Sequence, residues 1–164
     1  MQLNQYHLTK LQIDWRLPTV SQVEVCETRC RFDYVIGKHK TKENEFRMVL
    51  SVSAEEIAKE QPNIGYLISA ELAGIFSFPE PPGKILPAVA VRVGGLNLLY
   101  GALRGVVAGI TGSFPGGVFL FPTVNPQKIV MEIEKDKAAR AKASKELSDV
   151  TPDKIDANTL LEDR

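Results

Sequence analysis

Residues 96–125 read LNLLYGALRGVVAGITGSFPGGVFLFPTVN and change character part-way along. In the first half Leu96, Leu99, Tyr100, Leu103, Val106, Val107 and Ile110 recur at helical spacing, which predicts a helix over about 94–111. Gly101, Gly105 and Gly109 fall every fourth residue, so they form a row along one side of that helix. Each costs about 1 kcal/mol relative to alanine in a helix interior. Such a row lets another backbone come close, either the protein's own sheet or the same helix of another subunit. The second half, 113–125, is an aromatic strip bracketed by Pro115 and Pro122. It is either buried core or the lining of a surface that holds something apolar.

Upstream, four segments alternate with period two. Residues 6–17 place Leu11, Ile13, Trp15 and Leu17 on one side. Residues 22–36 place Cys26, Cys30, Phe32, Tyr34 and Ile36 opposite Glu27, Arg29, Arg31 and Asp33. Phe46, Met48, Leu50 and Val52 are in phase over 45–54, and Ile64, Tyr66, Ile68, Leu72, Phe76 and Phe78 over 64–78. One wet and one dry face marks an antiparallel sheet. AEEIAKEQPN, 54–63, predicts a short helical turn before Pro62. After the strands, Pro79, Pro81, Pro82 and Pro87 keep PEPPGKILP out of regular structure. A second helix is expected over 126–147, with Asn125 as its N-cap and Pro126 at its first position. Ile129, Val130 and Ile133 make its short apolar stripe. Strands followed by helices indicate α+β: a four-stranded antiparallel sheet with two long helices on one face. We expect one domain over 1–147 and a polar, mobile tail over 148–164.

Composition excludes several classes. Lys plus Arg is 20 and Asp plus Glu is 20, so the formal charge is zero, without the basic stripe of a nucleic-acid binder. Little net charge leaves weak protection against self-association. No signal-peptide pattern opens the sequence, and the expected location is the cytoplasm. Residues 85–112 are membrane-like in hydropathy but contain Arg92, Asn97 and Arg104, so no stable membrane insertion is expected. Cys26 and Cys30 on one strand would stand about 13 Å apart, too far for a disulfide. His7 and His39 make no metal-ligand cluster, and no metal or cofactor is expected. There is no nucleophile elbow, GSFPGG lacks the P-loop lysine, and the acids Glu132, Glu134 and Asp136 interleave with lysines as a solvated face does. The chain reads as no enzyme.

The order of these motifs resembles the SecB export-chaperone family over about residues 6–135. The resemblance runs from LTKLQI through FRMVLSVSA and AELAGIFSF to residues 96–125. There Arg104, Phe114, Pro115, Leu120, Pro122, Val124 and Asn125 stand where the family's helix, Phe-Pro turn and exit stand. Gly101 replaces a Pro-containing turn, and Pro126 replaces an aromatic.

The resemblance implies an ATP-independent holdase that binds unfolded or nascent chains and needs no cofactor. It implies a homotetramer, a dimer of dimers, joined through the first helix at Gly101, Arg104, Gly105 and Gly109. Clients would lie in an apolar groove lined by Phe76, Phe78, Leu86, Val118, Leu120, Phe121, Val124, Ile129 and Ile133. Alternation separates Val118 and Leu120 from Phe119 and Phe121 without saying which pair is outward. Phe78 and Phe121, each nearest a proline exit, are taken as the most exposed.

The family docks the translocase motor SecA through acids on the outer sheet face. The matched positions here hold Leu11, Trp15 and Ser69, leaving Asp14 and Glu71 nearby as docking acids. SecA binding is therefore expected to be weak, and an antitoxin is the alternative partner, in a SecB-like chaperone serving a toxin–antitoxin pair. Two other classes compete: a structural or adaptor oligomer whose strip is wholly core, and a small-molecule-binding domain.

Overall fold

A computed structural model describes residues 1–16, 25–58, 65–79 and 89–149. The chain divides into two compact units, Met1–Val130 and Met131–Arg164. The expected tail, 148–164, lies almost wholly outside the described residues, as do Leu17, Ile64 and Leu86.

The first unit holds four strands, β1 (Gln2–Arg16), β2 (Val25–Lys38), β3 (Glu45–Ala58) and β4 (Gly65–Ser77). They form one antiparallel sheet in the order β1-β4-β3-β2, so β1 and β2 are its edges. The residues expected to share a face do so. Met48, Leu50, Val52, Tyr66, Ile68, Leu72 and Phe76 are buried on one side. Across them lies α1 (Leu96–Thr111), entered through a π-helical turn, Val91–Gly95. Its buried stripe is Leu96, Leu99, Tyr100, Leu103, Val107 and Thr111. From Val91 to Thr111 the helix is long and apolar enough to cross a membrane. About a third of that apolar window is buried, and the buried stripe faces the sheet.

The helix starts close to the sheet because Gly95 has no side chain. A Cβ there would stand 2.9 Å from the Met48 sulfur and 3.3 Å from the Phe76 ring. α2 (Pro126–Asp149) begins as its sequence dictates. Asn125 Oδ1 accepts the N–H of Gln127 at 3.0 Å and of Lys128 at 3.3 Å, the N-cap arrangement. The second unit continues this helix from Met131 to Asp149.

Two expectations fail locally. Residues 55–58 are strand, not a helical turn: Glu55, Glu56 and Ile57 pair with Arg29, Thr28 and Glu27 of β2. Cross-strand pairing overrides a weak helical preference. β1 starts at Gln2 rather than near Tyr6. Its register shifts between Leu3 and Gln5 and between Leu8 and Lys10, which keeps Leu3, Tyr6, Leu8, Leu11, Ile13 and Trp15 opposite the inward residues of β4. The extra residues are tied down by side chains: Thr9 Oγ1 donates to Glu71 O at 3.1 Å, and Ser77 Oγ to Asn4 Oδ1 at 2.9 Å. Such bulges hide a strand's alternation from a period-two reading.

Candidate functional site

The strip after α1 is held by the helix that precedes it. Thr111, fully buried, donates from Oγ1 to Val107 O at 2.8 Å. The same oxygen accepts the Phe119 N–H at 2.9 Å. A tight turn lies between them, with Phe114 N–H on Thr111 O and Gly117 N–H on Phe114 O, both at 2.9 Å. Gly117 sits at φ +78°, in the left-handed region that favours glycine. A Cβ on its neighbour Gly116 would collide with the Trp15 indole, so β1 approaches the turn closely. Tyr66 Oη donates to Gly117 O, and Tyr100 Oη to Pro122 O at 2.7 Å.

Burial pushes both tyrosine hydroxyls above their ordinary range. For Tyr66 the Glu56 carboxylate adds to this, and for Tyr100 the Cys30 thiol does, against a smaller opposing pull from Arg104. Both remain protonated donors through neutral pH. Cys30 is free and half-buried, and burial raises its thiol in turn.

Under the strip runs a ladder of edge-on and tilted rings. It goes from Phe32 of β2 to Tyr100 (5.3 Å), Phe121 (5.8 Å), Phe119 (5.1 Å), Tyr66 (5.5 Å) and Phe114 (6.2 Å). Edge-to-face pairs at these separations contribute about 0.5–1.5 kcal/mol each beyond burial. Phe119 and Phe121 therefore point inward, and Val118 and Leu120 outward at 58% and 68% exposure. Phe121, taken from sequence as a most exposed groove residue, is 1% exposed and is core. Phe76 is likewise core, fully buried beneath Gly95. Both are too well packed to touch a client.

The remaining expected groove residues are dispersed. Phe78 is half-buried in an edge contact with Phe46 at 5.6 Å, and its main chain is tied both ways to Asn44 at 3.0 Å. No ring contact joins it to the ladder among the described residues. Val124 and Ile129 are half-buried, Ile133 belongs to the second unit, and Leu86 is outside the described residues. At the exit of the strip, Val124, Thr123 and Asn125 face Val93 and Asn97 across a pocket of about 690 Å³.

The strip is extended, yet no main-chain group of 118–124 pairs with another strand among the described residues. Its main-chain partners are the side chains of Thr111 and Tyr100. Leu120 thus presents an apolar side chain together with N–H and C=O groups that have no partner among the described residues.

Gly101, Gly105 and Gly109 are exposed, with nothing within 4 Å of where a Cβ would stand. The row does not pack on the protein's own sheet, whose contact is made by the buried stripe. Arg104 is half-buried on the same helix.

Of the docking positions inferred on the outer sheet face, Leu11 and Trp15 are not on it. Their partners are Ala70 and Tyr66, which face the helix. Asp14 is exposed and hydrogen-bonded by Gln12 at 2.9 Å, and Glu71 sits opposite Lys10. Along the outer rows, acids and bases mix: Arg29, Glu55 and Asp14 in one, Asp33, Glu71 and Lys10 in another.

The chain aligns with the SecB-like chaperone Rv1957 of Mycobacterium tuberculosis, solved with a peptide from the HigA1 antitoxin. The TM-score is 0.55, the identity 14%, and the alignment covers 75% of this chain and 89% of that one. The fold is SecB-like. No protein-family model and no curated protein matches the sequence. The SecB-like architecture is carried by the four-stranded antiparallel sheet and two helices rather than by shared residues. The sequence-level reading missed Thr111, Tyr66, Tyr100 and Phe119, which hold the strip. Only the hydroxyls of three of them, next to an apolar run, could have signalled a role.

Proposed function

We propose that the protein is an ATP-independent holdase acting in the cytoplasm on unfolded or nascent polypeptide. The observation that carries this is the Val118–Leu120 edge: the side chains of Val118 and Leu120 point outward, their main-chain groups have no hydrogen bond among the described residues, and an aromatic ladder lies beneath. Apolar contact is worth roughly 25 cal/mol per Å² and reads no sequence. Free backbone groups favour an extended peptide over a compact small molecule. A wholly structural role for the strip does not account for the outward exposure of Val118 and Leu120.

The test is fluorescence anisotropy with a labelled, permanently unfolded polypeptide in nucleotide-free buffer. Saturable binding of the unfolded form, with none of the folded form of the same protein, is the expected result. Equal binding of both forms contradicts the reading.

A second observation bears on the partner. Among the described residues the outer face mixes acids with bases, and the SecB-like neighbour was solved with an antitoxin peptide. We therefore favour an antitoxin-type client over delivery to SecA. Calorimetric titration with SecA should show weak binding that changes little with salt, since few charges are free to pair. Tight, salt-sensitive binding would restore the export role. We further propose a homotetramer joined through the exposed glycine row.

A further inference from the structure

We propose a second binding site, separate from the strip, at the β2–β3 hairpin, for an acidic peptide segment carrying an apolar side chain. Gly37, Arg47 and Ile75 form one row across the outer sheet face. Nothing lies within 4 Å of where a Gly37 Cβ would stand, so the row contains a notch. It opens into a pocket of about 390 Å³ bordered by the outward side chain of Ile75 and by the strand segment Glu45–Arg47. This volume lies in the range of small-ligand sites, roughly 300–1,000 Å³.

The rim is cationic. Lys38, Lys40 and Arg47 border the pocket and form no ion pair among the described residues. The one acid there, Glu45, is held by Lys42 at 2.8 Å.

The loop is also built rather than merely charged. His39 Nδ1 accepts the N–H groups of Thr41 at 3.3 Å and Lys42 at 3.2 Å. The His39 N–H closes the hairpin on Glu45 O at 3.0 Å. With Nδ1 accepting, the proton of the neutral ring sits on Nε2 as a further donor.

Cations with no ion pair among the described residues, set around the Ile75 side chain, match a peptide in which carboxylates flank a leucine or phenylalanine. Charge-assisted contacts supply orientation, and like charge rejects basic segments. The sign is opposite to the acidic docking that the SecB resemblance implies for this face. The site therefore fits a partner other than a basic one, and it does not depend on the strip being a client site.

The probe is acetyl-Glu-Glu-Leu-Phe-Glu-Glu-amide, titrated by calorimetry into the full chain. We expect saturable binding that weakens with salt. Lys38→Gln with Lys40→Gln, and separately Gly37→Leu, should each weaken it about tenfold or more while thermal melting and unfolded-client binding stay unchanged. The Leu120→Asp variant should bind the probe normally. The proposal is overturned by equal binding of the peptide with lysine for glutamate, by equal binding of the peptide with serine for leucine and phenylalanine, or by loss of probe binding in Leu120→Asp. Equal binding of an oligouridylate would likewise mean a generic cationic patch.

Discussion

Replacing Leu120 with aspartate should abolish client holding without unfolding the protein. Fully burying a leucine is worth about 1.5–3 kcal/mol. Leu120 is 68% exposed, so about 1–2 kcal/mol remains for a client to gain by covering it. Since about 1.4 kcal/mol is tenfold in affinity, Leu120→Ala should weaken binding by roughly five- to thirtyfold. Aspartate adds the cost of drying a carboxylate and should weaken it more. Stability should move by no more than about 0.5 kcal/mol, as for most exposed sites.

The neighbour is the control. Phe121 is 1% exposed and stacked between Tyr100 and Phe119. Phe121→Ala should cost about 3–5 kcal/mol, a large part of a total of roughly 5–15. Aggregation suppression of a chemically unfolded client, measured beside thermal melting, separates the two. Leu120→Asp should melt like the parent and fail to protect, whereas Phe121→Ala should melt early. The reasoning is refuted if Leu120→Asp protects fully, or if it melts as early as Phe121→Ala.

Other consequences can be measured independently. Thr111→Val removes the acceptor of the buried Phe119 N–H, so it should cost about 1–3 kcal/mol in denaturant melts; no change would mean the strip is not anchored there. Gly105→Leu, whose Cβ would meet nothing within 4 Å, should raise the stability of an isolated subunit by up to about 1 kcal/mol. In light scattering the same variant should convert tetramers to dimers; an unchanged tetramer would remove the row from the interface. Tyr66 and Tyr100 have raised pKa values in the fold, so their neutral forms stabilise fully below the ordinary value of about 10. That contribution should fade as pH rises beyond it. Melting temperature should thus be flat from about pH 6 to 9 as far as these groups decide it, and its alkaline decline should be shallower in Tyr100→Phe.

Much of the fold was legible because one face of each strand is dry. Phe46 to Val52, and Tyr66 to Phe76, announce both strand and phase, and Asn125-Pro126 announces the start of a helix. The beginning of β1 was not legible, since bulges at Asn4 and Thr9 break the alternation. Glu55 to Ala58 reads as helix in composition and becomes strand because β2 offers a partner.

In the strip, every residue from Val118 to Phe121 is apolar, so periodicity separates two sides without naming the outer one. The decision rests on long-range contacts: Tyr66 and Tyr100 offer rings that fit Phe119 and Phe121, and Thr111 fixes the register. Proline exits proved a poor guide to exposure, since Phe121 is buried despite preceding Pro122. The glycine row was legible as a close-approach surface, but only the position of the buried stripe turns it away from the sheet.

The claim that polypeptide is held at the strip is tested most directly by photocrosslinking from single sites. Leu120 on the strip and Val35 on the outer sheet face are each 68% exposed, so accessibility alone does not distinguish them. With a photoreactive residue placed at one or the other, and an unfolded client in nucleotide-free buffer, position 120 should crosslink strongly and position 35 at background. Equal crosslinking from both, or crosslinking from position 35 alone, would contradict the account.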